Sequence, residues 1–191
     1  AYTGSYWNTA DINYFVDSEE GSDTNDGKTP SKPFKTLSKV KSLGADIWEN
    51  GLVVACWGQF TENLTIDRAV TLLGAGGYNG RTIFQYVNGS DINMNVSGVV
   101  FENIFKKDGG SFGGGNLISY SNNCIFINNI TFQSQQTFYM FNSILYSVLF
   151  ANLIPPTFLN GNNNSFIDCT SSGTNIIVNG KNNHSNNKYT H

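Results

Sequence analysis

Charge is the scarcest property of this chain. Its 191 residues include 11 Lys and Arg and 14 Asp and Glu, so charged residues make up 13% of the sequence. That share is about half of the ~25% typical of globular proteins. The net charge is −3, and no basic stripe is present of the kind that follows a phosphate backbone. We therefore expect no nucleic-acid partner.

Cysteines, histidines and long apolar runs are also sparse. Three cysteines, Cys56, Cys124 and Cys169, are an odd and low number for a disulfide framework. Cys56 lies in an apolar run and is expected in the core, and no Cys/His spacing predicts a zinc site. No apolar run reaches the ~18 residues that a membrane-spanning helix needs, so no membrane span is expected.

The chain instead has many short apolar runs separated by Asn, Gly and Ser. One recurring unit is an aromatic residue, any residue, and then Asn or Asp, as in Phe101–Asn103, Phe126–Asn128, Phe150–Asn152 and Phe166–Asp168. A second unit is two apolar residues followed by Asn, as in Met140–Asn142, Phe158–Asn160 and Ile177–Asn179. Units that recur at roughly 20-residue spacing predict a solenoid in which each coil lies on the previous one.

In the predicted coil, the Phe of each unit stacks on the next Phe inside, and the Asn occupies a corner. Asn tolerates the left-handed backbone conformation of such a corner, and its amide can pair with the amides above and below. An antiparallel β-sandwich is the alternative fold, since Asn-Gly pairs such as Asn79-Gly80 and Asn160-Gly161 are typical of hairpins. Short continuous apolar runs favour the parallel solenoid.

The first part of the chain has a different pattern. Residues 1–12 are a polar lead-in, and Asn13–Val16 predicts a strand before a Gly- and Pro-rich loop. Phe34–Leu43 predicts a short helix, because Phe34, Leu37 and Val40 share one helical face. Further strands are predicted at Leu52–Trp57, Leu64–Ile66, Ala69–Leu73 and Thr82–Gln85.

Four segments of this part, taken together, resemble the pectin-lyase-like right-handed β-helix superfamily. They are YFVD at 14–17, GSDTNDGKTPSKPFKTL at 21–37, GQFTENLTI at 58–66 and VTLLGAG at 70–76. The resemblance implies an all-β fold, a right-handed parallel β-helix (solenoid) with a short N-terminal capping helix. We predict one domain over 1–191, with the lead-in at 1–12, the first strand, loop and cap helix at 13–50, and coils over 51–191.

The superfamily contains polysaccharide lyases, glycoside hydrolases, phage tailspikes and adhesin-like proteins without known catalysis, so the fold selects no reaction. No Asp-Asp pair lies on a predicted coil and no His precedes His184, which argues against a hydrolase. A lyase needs a basic residue beside a carboxylate. Asp91, Glu102 and Lys106 are the candidates, provided that their coils stack in register, and the alternative is that they are solvated rim charges.

Two further sets of residues are candidate binding sites. Asp17, Asp23 and Asp26, with Glu19 and Glu20 between them, are oxygen ligands of the kind that Ca²⁺ prefers; the alternative is that they cap turns. Tyr6, Trp7 and Tyr78 lie in polar or Gly-rich contexts and are predicted to contact a carbohydrate or another partner. Trp57 and Tyr139 lie in apolar runs and are expected in the core.

The C-terminal half is nearly free of charge. From Gly109 to His191 the charged residues are Asp168, Lys181 and Lys188. The chain begins at Ala1 without Met, which suits either a processed secreted protein or a piece of a longer one, and it stops inside a repeat-like phrase at Tyr189–His191. Two alternatives remain open there: the protein continues past His191, or the last coil stacks on another chain, so that self-association is expected.

These features together predict a non-catalytic structural or adhesive β-helix of a cell surface, an extracellular fibre or a virus particle, one that could contact carbohydrate. The alternative function is a polysaccharide lyase or tailspike-like depolymerase. An ice-binding solenoid is a lesser third, because no regular Thr-x-Thr ladder is present.

Overall fold

The computed structural model describes residues 11–44, 52–75, 82–94, 99–112, 118–133, 137–151, 157–172 and 176–186. These residues form 18 short strands that pair in parallel, coil on coil, in a β-solenoid. The predicted all-β parallel solenoid is therefore confirmed.

Each coil has three sides, which we number in chain order. Side 1 contains β1 (Tyr14–Asp17), the start of β2 (Leu52–Phe60), β4 (Val70–Gly74), β7 (Val99–Glu102), β10 (Ile118–Asn122), β12 (Thr137–Phe141), β14 (Thr157–Asn160) and β17 (Ile176–Asn179). Side 2 contains the end of β2, β5 (Thr82–Gln85), β8 (Phe105–Lys107), the starts of β11 (Ile125–Gln133) and β13 (Ile144–Ala151), β15 (Ser165–Ile167) and β18 (His184–Ser185). Side 3 contains β3 (Leu64–Ile66), β6 (Ile92–Met94), β9 (Ser111–Phe112), the ends of β11 and β13, and β16 (Thr170–Ser172).

The helix α1 (Leu37–Ser42) packs its buried residues on the apolar core, and it is shorter than predicted. It starts three residues after Phe34 because Thr36 caps it, the Thr36 Oγ1 accepting the backbone N–H of Lys39 at 3.0 Å. Phe34 forms a parallel β-bridge with Val16 instead. Within the part of the chain that the structure describes, no helix has the length and apolar character needed to cross a bilayer.

The predicted strands agree closely with the observed ones in the first coils. Strands β3 and β5 have the predicted bounds, whereas β2 continues three residues beyond Trp57. Gly58 explains the difference: its φ of +97° turns the strand round the corner onto side 2 without ending its pairing. A Cβ at this position would meet the side chain of Ser18.

Phenylalanine rings fill the interior. Phe132 is fully buried, and its ring centroid lies 5.5 Å from that of Phe126, 5.5 Å from that of Phe138 and 5.4 Å from that of Phe150. These separations are typical of favourable aromatic pairs. Cys56 is also fully buried, as predicted.

The aromatic-x-Asn units are inward-facing, but the expectation that they stack directly on one another is wrong. Phe101 lies on side 1, Phe126 and Phe166 on side 2, and Phe150 on side 3. The unit recurs on different sides because a corner commonly follows two residues after the last inward residue of a strand. Its intervals therefore do not measure the length of a coil.

The corner between sides 1 and 2 is an asparagine row, which confirms the prediction for Asn103 and Asn142, whereas the other members of the row lie outside the two recurring units. Five asparagines there have φ between +52° and +61°: Asn103, Asn123, Asn142, Asn163 and Asn182. In four bonds of 2.8 to 3.1 Å, a side-chain Nδ2 of one coil donates to an Oδ1 of the preceding coil: Asn123 to Asn103, Asn142 to Asn122, Asn163 to Asn142 and Asn182 to Asn163. The side-chain amides thus bond to one another from coil to coil, beside backbone hydrogen bonds that most of these residues make to the following coil.

Asn164, next to this row, is buried and satisfies the backbone at the same corner. Its Oδ1 accepts the N–H of Ser143 at 3.0 Å, and its Nδ2 donates to the carbonyl of Met140 at 2.9 Å.

We expect Asn164→Ala to lower the free energy of unfolding by about 2–3 kcal/mol, because it leaves buried backbone groups unpaired. The matched change Asn163→Gly, which keeps the positive φ at an exposed position, should cost no more than about 1 kcal/mol. Urea denaturation of both variants tests the difference, and equal losses would contradict it.

Candidate functional site

A lysine occupies the interior of the solenoid at a position that other coils give to apolar side chains. Lys106 on β8 pairs in register with Phe84 in the coil before and with Phe126 in the coil after, and its side chain is fully buried. The Lys106 Nζ lies 2.8 Å from Oδ1 of Asp91 and donates a hydrogen bond to the carbonyl of Gly109. A buried ion pair therefore interrupts the row of apolar side chains that runs from Phe60 to Phe166.

The surroundings of the pair are shaped to hold it. The Asp91 side chain is 8% exposed, and its Oδ1 also accepts the backbone N–H of Ile92 at 2.8 Å. A Cβ at Gly110 would lie 2.9 Å from the Lys106 Nζ and 3.0 Å from the Asp91 Oδ2, so a glycine is needed there. Burial lowers the pKa of Lys106, and the hydrogen bond and charge of Asp91 oppose that shift, as does the charge of Asp108.

The predicted lyase residues are only partly brought together. Asp91 and Lys106 meet, but inside the coil, so the interpretation of these two as solvated rim charges is wrong. Glu102 ends β7 on side 1, is half-buried, and makes no ion pair with either of them. Because its amine is enclosed, Lys106 cannot take a proton from a polymer lying on the outer surface.

The three candidate calcium ligands lie in separate hydrogen-bonded turns. Asp17 Oδ1 accepts the backbone N–H of Glu19 and Glu20 at 2.9 and 3.0 Å, and Asp26 Oδ1 accepts that of Lys28 at 3.0 Å. Asp23 accepts two backbone N–H groups and the hydroxyl of Thr36. In the described ranges, no group of three or more His, Cys, Asp or Glu side chains is placed to hold a metal ion. The capping alternative accounts for the contacts seen.

The outer surface of side 2 carries two apolar rows, which we call the side-2 face. Strand register places Ile83, Phe105, Ile125 and Ile144 in one row, and Ile127, Tyr146 and Ile167 in the other. Consecutive members of a row lie on adjacent coils, ~4.8 Å apart. Lys107 precedes Ile127 in its row, and no charged side chain lies between the ends of either row.

Three side chains of the side-2 face are among the most exposed large apolar ones in the described residues. Ile144 is 41% exposed, Tyr146 39% and Ile167 37%. All-parallel sheets usually have both faces covered, whereas the outer surface of side 2 leaves these three side chains exposed. The side-2 face is therefore the candidate contact surface of this protein.

The aromatic residues predicted to contact a partner or to lie in the core are placed as follows. Tyr6, Trp7 and Tyr78 lie outside the described residues. The expectation that Tyr139 is in the core is wrong: it is 45% exposed, because it lies between the inward-facing Phe138 and Met140 on β12. Trp57 is half-buried against a small cluster outside the main core.

Comparison of the chain with known protein families and with curated proteins finds no match to either.

Proposed function

We propose that this protein is a non-catalytic structural or adhesive β-solenoid of a cell surface, an extracellular fibre or a virus particle. We propose further that it belongs to the pectin-lyase-like superfamily and that it associates laterally with a second copy through the side-2 face. The observation that carries the proposal is the uncovered pair of apolar rows, with Ile144, Tyr146 and Ile167 as the most exposed members.

The size of the face favours weak and repeated contact. With strands ~4.8 Å apart and a rise of ~3.3 Å per residue, four coils of three residues span on the order of 20 by 10 Å. A standard stable interface buries about 800 Å² per partner. The side-2 face is smaller, so a single pair of faces binds weakly. Lateral packing in a fibre or an array, where many copies add their contacts, suits such a surface.

The charge pattern favours a second copy as the occupant. A twofold axis that lies parallel to the face and perpendicular to the rows would bring the rows of two copies together in opposite directions, with the two sheets packed ~10 Å apart. Lys107 lies at one end of its row and Ile167 at the other. The lysine of each copy would then meet the apolar end of the other, with no like-charge contact.

We expect Tyr146→Lys to weaken self-association at least tenfold, because it places a charge in the centre of the apolar surface. Tyr139→Lys is the matched control, since Tyr139 is similarly exposed but lies on side 1. Sedimentation velocity over a concentration series, with circular dichroism to verify folding, compares both with the unchanged chain. A chain that stays monomeric at every concentration, or an equal effect of the two changes, would overturn the proposal.

A carbohydrate is the competing occupant. Retention of a monomeric chain on an insoluble polysaccharide, lost in Tyr146→Lys but not in Tyr139→Lys, would assign the side-2 face to a glycan and overturn self-association. The lyase alternative has no support from the geometry of Lys106, whose amine faces the interior.

A further inference from the structure

The Asp91–Lys106 pair joins two coils at a point that is almost closed to water. Asp91 directly precedes β6 in one coil, and Lys106 lies on β8 in the next. The amine nitrogen and a carboxyl oxygen are 2.8 Å apart, and both side chains are at least nine-tenths buried. The neighbours of Lys106 along its row are Phe84 and Phe126, so the immediate surroundings are aromatic.

An ion pair in such a place is costly. The effective penalty for burying each ion is several kcal/mol, and mutual attraction often fails to recover it. Burial lowers the pKa of Lys106 and so favours its neutral amine, and transfer of the ammonium proton to the Asp91 carboxylate gives an amine beside a carboxylic acid. These are the two reactants of amide formation, held in contact and shielded from the bulk water that would reverse the reaction.

We propose that Asp91 and Lys106 condense to an intramolecular isopeptide bond. The lone pair of the neutral Lys106 Nζ attacks the carboxyl carbon of Asp91, forming one C–N bond. The C–Oδ2 bond breaks, and the hydroxyl leaves with a proton from the amine as one molecule of water. The reaction needs no oxidant, reductant or further reactant.

Neighbouring backbone groups are placed to assist this step. The N–H of Ile92, 2.8 Å from Oδ1, stabilises negative charge that develops on that oxygen during the attack. The carbonyl of Gly109 accepts a hydrogen from Nζ and orients the amine. Gly110 borders Oδ2, the leaving oxygen, and leaves the space that a side chain would fill. The product is a covalent link between neighbouring coils.

Intact mass of the full chain under denaturing conditions tests the bond. We expect the purified protein to weigh about 18 Da less than its sequence mass, the mass of one water, and Lys106→Arg to have its full sequence mass. Asp91→Asn should lose about 17 Da instead, as ammonia, because the amide carries a different leaving group. Lys107→Arg, which changes the outward-facing neighbour, should still lose water.

Fragmentation of a proteolytic digest locates the bond. We expect one branched peptide that joins the segments containing Asp91 and Lys106. A folded wild-type chain, verified by circular dichroism, that keeps its full sequence mass after days at neutral pH would overturn the proposal. A water loss that persists in Lys106→Arg would do the same. Neither result depends on self-association through the side-2 face.

Discussion

Replacement of Lys106 by methionine is expected to lower the free energy of unfolding by about 3–5 kcal/mol. The two side chains have similar length and volume, so packing against Phe84 and Phe126 changes little. The substitution leaves the Asp91 carboxylate buried beside the aromatic interior with no cation, or, once the isopeptide bond is formed, removes that link. Guanidinium denaturation followed by circular dichroism measures the loss.

A double variant separates these two causes. Asp91→Asn combined with Lys106→Met removes both charges, so a lone buried carboxylate no longer contributes, and stability should recover by about 2 kcal/mol or more. Failure to recover would assign the whole loss to the covalent bond. Lys107→Met, at the adjacent outward position, should change stability by about 0.5 kcal/mol or less. A Lys106→Met variant as stable as Lys107→Met would contradict the expectation.

Removal of the Phe132 ring is expected to cost about 3–5 kcal/mol as Phe132→Ala. Phe132 is fully buried and contacts the rings of Phe126, Phe138 and Phe150. A cavity at this position therefore removes ring contacts in three strands, β11, β12 and β13, at once. Because neighbouring coils hold these strands by parallel pairing, they cannot collapse far into the space.

Phe105→Ala is the matched control for the ring deletion. Phe105 lies on the outer surface of side 2 and is half-buried, so its loss should cost about 1 kcal/mol. Thermal unfolding of both variants at one protein concentration gives the comparison. Equal losses would mean that the outer face is as closely packed as the interior, which would argue for a covered side-2 face even in the unmodified protein.

The solenoid could be predicted from the sequence because its corners depend on local preferences. Asn142 and Asn163 adopt positive φ, a conformation that asparagine tolerates better than most other residues with a side chain. Gly58 and Thr36 also act through local preferences, since Gly58 turns a strand and Thr36 caps a helix. The strand at Leu64–Ile66 could be predicted from its own apolar pattern alone.

The sequence suggested that Asp91 and Lys106 could meet, but the burial of the pair could not be predicted, because it depends on register between coils. Nothing within the sequence near Lys106 shows that it is aligned with Phe84 and Phe126; that follows from pairings about 20 residues apart. The side-2 face could not be recognised in the sequence for a different reason. In Ile125-Phe126-Ile127 and Ile144-Leu145-Tyr146 both the inward and the outward residues are apolar, so the alternation of faces leaves no polar trace in the sequence.

The asparagine row has a direction. Each amide of Asn182, Asn163 and Asn142 donates towards the coil before it, and those of Asn163 and Asn142 also accept from the coil after it, so the dipoles add along the axis. Hydrolysis of one such amide to a carboxylate would substitute an acceptor for a donor and set two oxygens facing each other. Deamidation of a single asparagine would thus also disturb the neighbouring coil, because it breaks a hydrogen bond that the two coils share.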